Sequence, residues 1–134
     1  MTLVDSNVLV DVLANDPAWL SWSANALEAC SLQSALLVNE IVYAELAVKS
    51  RSKAELDSAL GVLGVAFERT PQEALYLAGK VYGRYRSAGG TRPTLLPDFF
   101  IGAHAQVARL PILTRDARRY RTYFPDVELI TPDT

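Results

Sequence analysis

Short apolar runs alternate along this chain with segments of helical length. The runs are Thr2-Leu3-Val4, Ser34 to Val38, Val65 to Arg69, Pro111-Ile112-Leu113 and Glu128 to Ile130. Each is too short for a helix and is bounded by polar or turn-forming residues, so each reads as a strand. The segments between them carry helix signals. Ser6 or Asn7 can cap a helix through Val12 and Leu13, and Asp16-Pro17 reads as the cap and first residue of a second, running to about Ala29. Asn39 caps a helix to about Lys49, and another covers Lys53 to Val62. Thr70-Pro71 with Glu73 has the pattern of a capping box, opening a long helix to about Ser87. Pro97 opens a helix through Ala108, and Ala117 to Tyr123 is a short one. Gly89-Gly90-Thr91-Arg92-Pro93 is the one obvious loop. Strands alternating with helices predict an α/β domain with a mostly parallel sheet covered on both faces. With no internal repeat, low-complexity stretch or dividing linker, residues 1–134 read as a single domain.

Half of the residues are hydrophobic, enough for a core, and a domain of this size buries roughly two-thirds of its unfolded surface. Disulfides are not needed, and Cys30, being alone, forms none within the chain. It reads as a small buried hydrophobe. The absence of a Cys/His cluster excludes a structural zinc site. A lone thiol suggests a reducing compartment. No basic n-region precedes the first apolar run, which Asp5 interrupts, and no apolar stretch approaches membrane-spanning length, so the expectation is a cytoplasmic protein. The net charge of −2 does not suggest a nucleic-acid binder, but its distribution is uneven. Arg84, Arg86 and Arg92 form one basic cluster, and Arg115, Arg118, Arg119 and Arg121 another. Each can be a solvated helix face or a phosphate-holding patch.

In parallel sheets the ligand site lies beyond the carboxyl ends of the strands, where strand order switches direction. Asp5 ends the first strand, Asp98 begins the helix before the fourth, and Asp116 follows the fourth almost at once. Singly each has a structural excuse as a turn or cap residue, although Ser6 and Asn7 are better placed than Asp5 for that duty. Glu45 is the most informative acid. Its helix, Glu40-Ile41-Val42-Tyr43-Ala44-Glu45-Leu46, is apolar almost all round, and Glu45 shares a stripe with Ile41 and Val42. A buried mid-helix carboxylate needs a partner from elsewhere in the fold. A tertiary ion pair with an arginine is the structural alternative to a functional site. Glu40, in the first turn, is favoured by the helix dipole.

Together the acids make one argument. A pair of like charges about 4 Å apart repels by about 4 kcal/mol at an effective dielectric of 20. A converging cluster therefore needs protons or a cation. All-oxygen ligands favour Mg2+ or Mn2+. A metal held by acids with open positions can bind a phosphodiester, polarise it and lower the pKa of an attacking water.

At these residues the chain closely resembles the PIN-domain family, and within it the VapC-type toxins of prokaryotic toxin–antitoxin pairs. The matching segments are Leu3-Val4-Asp5-Ser6-Asn7-Val8-Leu9, Asn39-Glu40-Ile41-Val42-Tyr43-Ala44-Glu45-Leu46, Pro97-Asp98-Phe99-Phe100-Ile101-Gly102-Ala103, and Leu113-Thr114-Arg115-Asp116-Ala117-Arg118-Arg119-Tyr120 with Tyr123-Phe124-Pro125. The resemblance implies a Rossmann-like three-layer α/β/α sandwich and metal-dependent endoribonuclease activity. It puts the catalytic, metal-binding quartet at Asp5, Glu45, Asp98 and Asp116, with Ser6, Thr114 and Asn7 supporting and Glu40 just outside. It further implies a homodimer and a small VapB-like antitoxin that wraps the toxin and blocks its cleft. Beside that quartet, Arg115, Arg118, Arg119 and Arg92 become candidate phosphate contacts on RNA, with Arg115 best placed by sequence. His104 reads as a packed or surface histidine rather than a ligand. Trp19, Trp22, Tyr76 and Tyr82 read as core or dimer contacts.

Other acid-bearing α/β proteins fit less well. A receiver module needs a lysine near the last strand ends, whereas the lysines are Lys49, Lys53 and Lys80. An aspartate-nucleophile phosphatase needs a second aspartate at position 7, which is Asn7. A protein of this fold that binds without turnover is the remaining alternative.

Overall fold

Leu3, Val4, Ile112 and Leu113 have no solvent exposure, as strands covered by helices on both faces require. The computed structural model describes residues 1–92 and 96–132, so Pro93 of the expected loop lies outside the described residues. The strands are β1 (Thr2–Val4), β2 (Leu36–Val38), β3 (Val65–Phe67), β4 (Ile112–Leu113) and β5 (Leu129–Ile130). They form one five-stranded sheet in the order β3-β2-β1-β4-β5, and every pairing is parallel. Between β1 and β2 run α1 (Ser6–Leu13) and α2 (Leu20–Gln33), and between β2 and β3 run α3 (Glu40–Lys49) and α4 (Lys53–Val62). Between β3 and β4 run α5 (Gln72–Ser87) and α6 (Leu96–Ala108), and α7 (Arg118–Tyr123) precedes β5. This is the Rossmann-like α/β arrangement expected, with a sheet that is parallel throughout.

The strand order reverses between β1 and β4, so the switch point lies where Asp5 leaves β1 and Thr114 leaves β4. Against that edge packs α6, whose Phe99, Ile101, Gly102, Ala103, His104 and Ala105 are all buried. A Cβ on Gly102 would run into the Phe124 ring. The glycine lets the end of α7 settle directly on α6, which sets the spacing between Asp98 and the α7 side chains.

Three expected caps differ in detail. Asp5, rather than Ser6 or Asn7, caps α1: it has extended backbone and its side chain accepts from the Ser6 amide. The first free donors of α1 sit directly after the strand, within reach of the residue that ends it. Asp16 does accept from the amides of Ala18 and Trp19, but it closes an isolated turn, and the regular helix starts at Leu20. Thr70 forms no capping box, because α5 starts at Gln72 with Pro71 as its cap and no side-chain cap bond. The Thr70 amide and hydroxyl both donate to Glu40, at 2.7 and 2.6 Å. A carboxylate at the start of α3 thus outcompetes the local partner.

Cys30 is buried and free. Trp22 and Tyr82 pack against the core as expected, whereas Tyr76 is 69% exposed with the Lys80 ammonium 5.3 Å above its ring. No helix among the described residues is long and apolar enough to cross a membrane.

Candidate active site

The end of β1 delivers Asp5 into the interior, where it is 5% exposed. Its Oδ1 accepts from the Ser6 amide (2.8 Å). Its Oδ2 accepts from the Thr114 hydroxyl and the Tyr120 phenol, both at 2.9 Å. Thr114 Oγ1 in turn accepts from the Asp116 amide (3.1 Å) and the Asn7 side-chain amide (3.2 Å). Asn7 Oδ1 receives the Arg115 amide (3.1 Å). The start of α1 is thereby tied to the loop that leaves β4.

Glu45 projects from the middle of α3, half-buried, and accepts from the Ser6 hydroxyl (3.1 Å). Its partner is a neutral hydroxyl, not the arginine of the structural alternative. Asp98 lies in the first turn of α6 with 23% of its side chain exposed, and Asp116 is 59% exposed. The Nη1 of Arg119 is 2.8 Å from Oδ2 of Asp98 and 3.6 Å from Oδ2 of Asp116.

The four carboxylates act on one another electrostatically. Burial, then the charge of Asp5, raises the Asp98 carboxyl to about 6; Arg119 opposes this, while Glu45 and Asp116 add to it. Burial and then Asp5 raise Glu45 against the Ser6 hydrogen bond. Burial raises Asp5 too, although Thr114, Tyr120 and the Ser6 amide all hold it down. Burial and then the charges of Asp5 and Asp98 push the Tyr120 hydroxyl well above its ordinary value, so Tyr120 stays a donor to Asp5. Asp5, Glu45 and Asp98 are therefore all harder to ionise than usual, even with the Arg119 guanidinium paired to Asp98.

Donors of this kind, all carboxylate oxygens, suit a hard divalent cation. Among the described residues, no three His, Cys, Asp or Glu side chains already stand as a set that could hold a metal ion. The Arg119 guanidinium stands between Asp98 and Asp116 instead. The residues suit a cation in chemistry, and Asp98 and Asp116 are here shared with the Arg119 guanidinium.

The other sequence-predicted residues divide. Arg115 is not free to serve as the leading phosphate contact: its Nε and Nη2 donate to the two oxygens of Asp11 at 2.7 and 2.9 Å, and its guanidinium lies 4.9 Å over the Trp19 ring. Arg118 and Arg119 line a cavity of ≈ 430 Å³ with Arg92, Tyr85 and Asp116. Glu40 is turned to Thr70 rather than to the acids. His104 is fully buried on α6, its Nδ1 3.1 Å from the Asn39 side-chain amide. Asn39 uses its oxygen to cap α3, so its nitrogen donates to Nδ1, and the imidazole proton sits on Nε2. Burial lowers its pKa, and it is a neutral brace for the helix that carries Glu45. Two residues escaped sequence reasoning, Tyr120 and Asp11. Tyr120 lies one helical turn beyond Asp116, and Asp11 is a mid-helix acid among valines; both patterns were available.

A parallel α/β sheet with carboxylates gathered at its switch point defines an acidic-centre α/β protein. Residues 2–125 match the family model described as PIN domain, and the chain belongs to the PIN domain family. No curated protein matches it in sequence. Among solved structures it is similar to VapBC2 from Rickettsia felis bound to a DNA fragment from its promoter, with TM-score 0.73 and 18% identity over 97% of each chain. It is similar to a toxin–antitoxin complex from Klebsiella pneumoniae, with TM-score 0.71 and 22% identity over 98% of each chain. FitAcB from Neisseria gonorrhoeae gives TM-score 0.69 and 19% identity over 98% of each chain. At these identities the likeness is one of fold.

Proposed function

We propose that this chain is a metal-dependent endoribonuclease and the toxin of a toxin–antitoxin pair, with Asp5, Glu45, Asp98 and Asp116 as its Mg2+- or Mn2+-binding centre. The observation that supports this reading is that Asp5, Glu45, Asp98 and Asp116 come from four separate segments to one sheet edge, where Asp5, Glu45 and Asp98 are all harder to ionise than usual. Stability alone gives no reason to gather like charges there. A divalent cation, which Asp5, Glu45, Asp98 and Asp116 would hold, would act as a Lewis acid toward a phosphodiester and lower the pKa of a water.

The chain's own groups do the rest. Ser6 holds the Glu45 carboxylate, and Thr114 with Tyr120 fixes one oxygen of Asp5. Asn7 pins the loop that carries Asp116. Arg92 and Arg118 line the groove that opens beside Asp116, where they hold phosphates without reading bases. The groove is open and flanked by tyrosines, which suits single-stranded or looped RNA rather than a duplex.

Structures of this fold were solved as VapBC2, as FitAB and as a toxin–antitoxin complex, and a VapB-like antitoxin partner is proposed for this chain on that basis; a homodimer is proposed from the family resemblance alone. An apolar groove of ≈ 330 Å³ lined by Val10, Leu13, Leu46, Leu56 and Ala59 lies on α1, α3 and α4 and offers an antitoxin segment a seat.

The test is cleavage of a mixed pool of structured RNAs by the purified protein in Mg2+, in Mn2+ and in EDTA, beside Asp98→Asn. Discrete fragments that need the metal and vanish in the variant support the reading. Cleavage that survives EDTA or the substitution contradicts it. RNA binding without cleavage in any metal favours a module that binds without turnover.

A further inference from the structure

Arg119 stands in two places at once. Its Nη1 pairs with Asp98 at 2.8 Å and approaches Asp116 at 3.6 Å, and the same side chain lines the basic groove with Arg92, Arg118 and Tyr85. A divalent cation on Asp98 would sit beside the Arg119 guanidinium, which is 2.8 Å from one of the two carboxylate oxygens, and two positive charges repel at such range. One of them has to give way. The Arg119 side chain is 33% exposed, on a long flexible stem, so it can turn into the groove without a change in backbone.

We infer that Arg119 is an exchangeable counter-cation: it neutralises Asp98 and Asp116 in the metal-free protein, and when a divalent ion binds it swings into the groove to hold a nucleic-acid phosphate. This rests on the reading of Asp98 and Asp116 as cation ligands. The exchange has a thermodynamic consequence. Metal and nucleic-acid backbone each favour the swung-out position, so each strengthens the binding of the other. In the metal-free state the Arg119 guanidinium at the wall of the groove is neutralised by Asp98, and nucleic acid binds weakly. Arg119 is then a positioning residue for substrate whose availability is set by the metal.

The test is Mn2+ binding followed by electron paramagnetic resonance, on the wild-type protein, Arg119→Gln, Asp98→Asn and the charge-matched control Arg84→Gln, whose arginine is exposed on α5. Removing the competing guanidinium is expected to tighten Mn2+ binding by about 5-fold or more, with Arg84→Gln close to wild type and Asp98→Asn binding poorly. A fluorescent 2′-O-methyl oligoribonucleotide is the second probe. Wild type is expected to bind it about 5-fold more tightly in Mn2+ than in EDTA, and Arg119→Gln to lose most of that gain. Melting curves confirm that each variant is folded. Equal or weaker Mn2+ binding by a folded Arg119→Gln, with Asp98→Asn still defective, overturns the exchange and leaves the metal site standing. No Mn2+ binding by wild type or by Arg119→Gln overturns both.

Discussion

The hydroxyl of Tyr120 donates to Oδ2 of Asp5 at 2.9 Å across 115 residues of sequence. That bond joins the last helix to the end of the first strand and shares its acceptor with Thr114. Asp5 can therefore stay buried next to other acids without losing all of its compensation.

Tyr120→Phe removes one donor and nothing else. A hydrogen bond to a charged group contributes about 1.5–3 kcal/mol, and chemical denaturation at neutral pH should show a loss in that range. The same bond holds the Asp5 carboxyl down. Its removal should move the acid limb of any metal-dependent cleavage to higher pH. An unchanged pH profile would mean that Asp5 does not titrate in the active range.

Asp98 makes the metal-free protein sensitive to pH in a defined direction. Its carboxyl titrates at about 6 in the fold against 3.8 ordinarily, first because it is buried and next because of Asp5. The folded state thus holds this proton more tightly than the unfolded chain. The stability it confers is full below about pH 4 and is lost as pH rises through about 6, to an upper bound of about 3 kcal/mol. Asp5 and Glu45, also raised, act in the same direction. Urea melts in EDTA at pH 4.5 and 7.5 should show wild type losing stability relative to Asp98→Asn. Added Mn2+ should remove that loss, because metal and protons compete for the same oxygens.

Arg115 is predicted to matter for folding. Its partner Asp11 is 1% exposed and, among the described residues, otherwise accepts only from the Ser23 hydroxyl at 2.7 Å. Arg115→Ala leaves a buried carboxylate without its cation, which typically costs about 3–5 kcal/mol. A variant that melts like wild type but binds RNA less well would return Arg115 to the role of phosphate contact.

Much of the layout was legible because strands and helices are written locally. Val4 and Leu113 sit in short apolar runs, and Asn39 precedes an apolar helix; such signals need no knowledge of the rest of the chain. Glu45 was legible too, since a carboxylate on an apolar helix face implies a tertiary partner. That partner turned out to be Ser6, 39 residues away. What was not legible is the choice among distant partners. Thr70 looked like the first residue of a capping box, yet Glu40 offers it a stronger acceptor. Arg115 looked like a free cation beside Asp116, yet Asp11 holds it from 104 residues away. Pairings of this kind depend on how helices are brought together, which local pattern does not encode. Asp11 could have been flagged by the logic applied to Glu45, because Val10-Asp11-Val12 also puts an acid on a buried helix face.

If the acids are gathered for a cation that does chemistry, Asp5→Asn separates activity from stability. RNA cleavage in Mn2+ and thermal melting in EDTA are measured on the same preparation. The expected result is complete loss of cleavage with a metal-free melting temperature equal to or above wild type, since a neutral amide relieves the repulsion among Asp5, Glu45 and Asp98. Wild-type cleavage by a folded Asp5→Asn would contradict the assignment of the site.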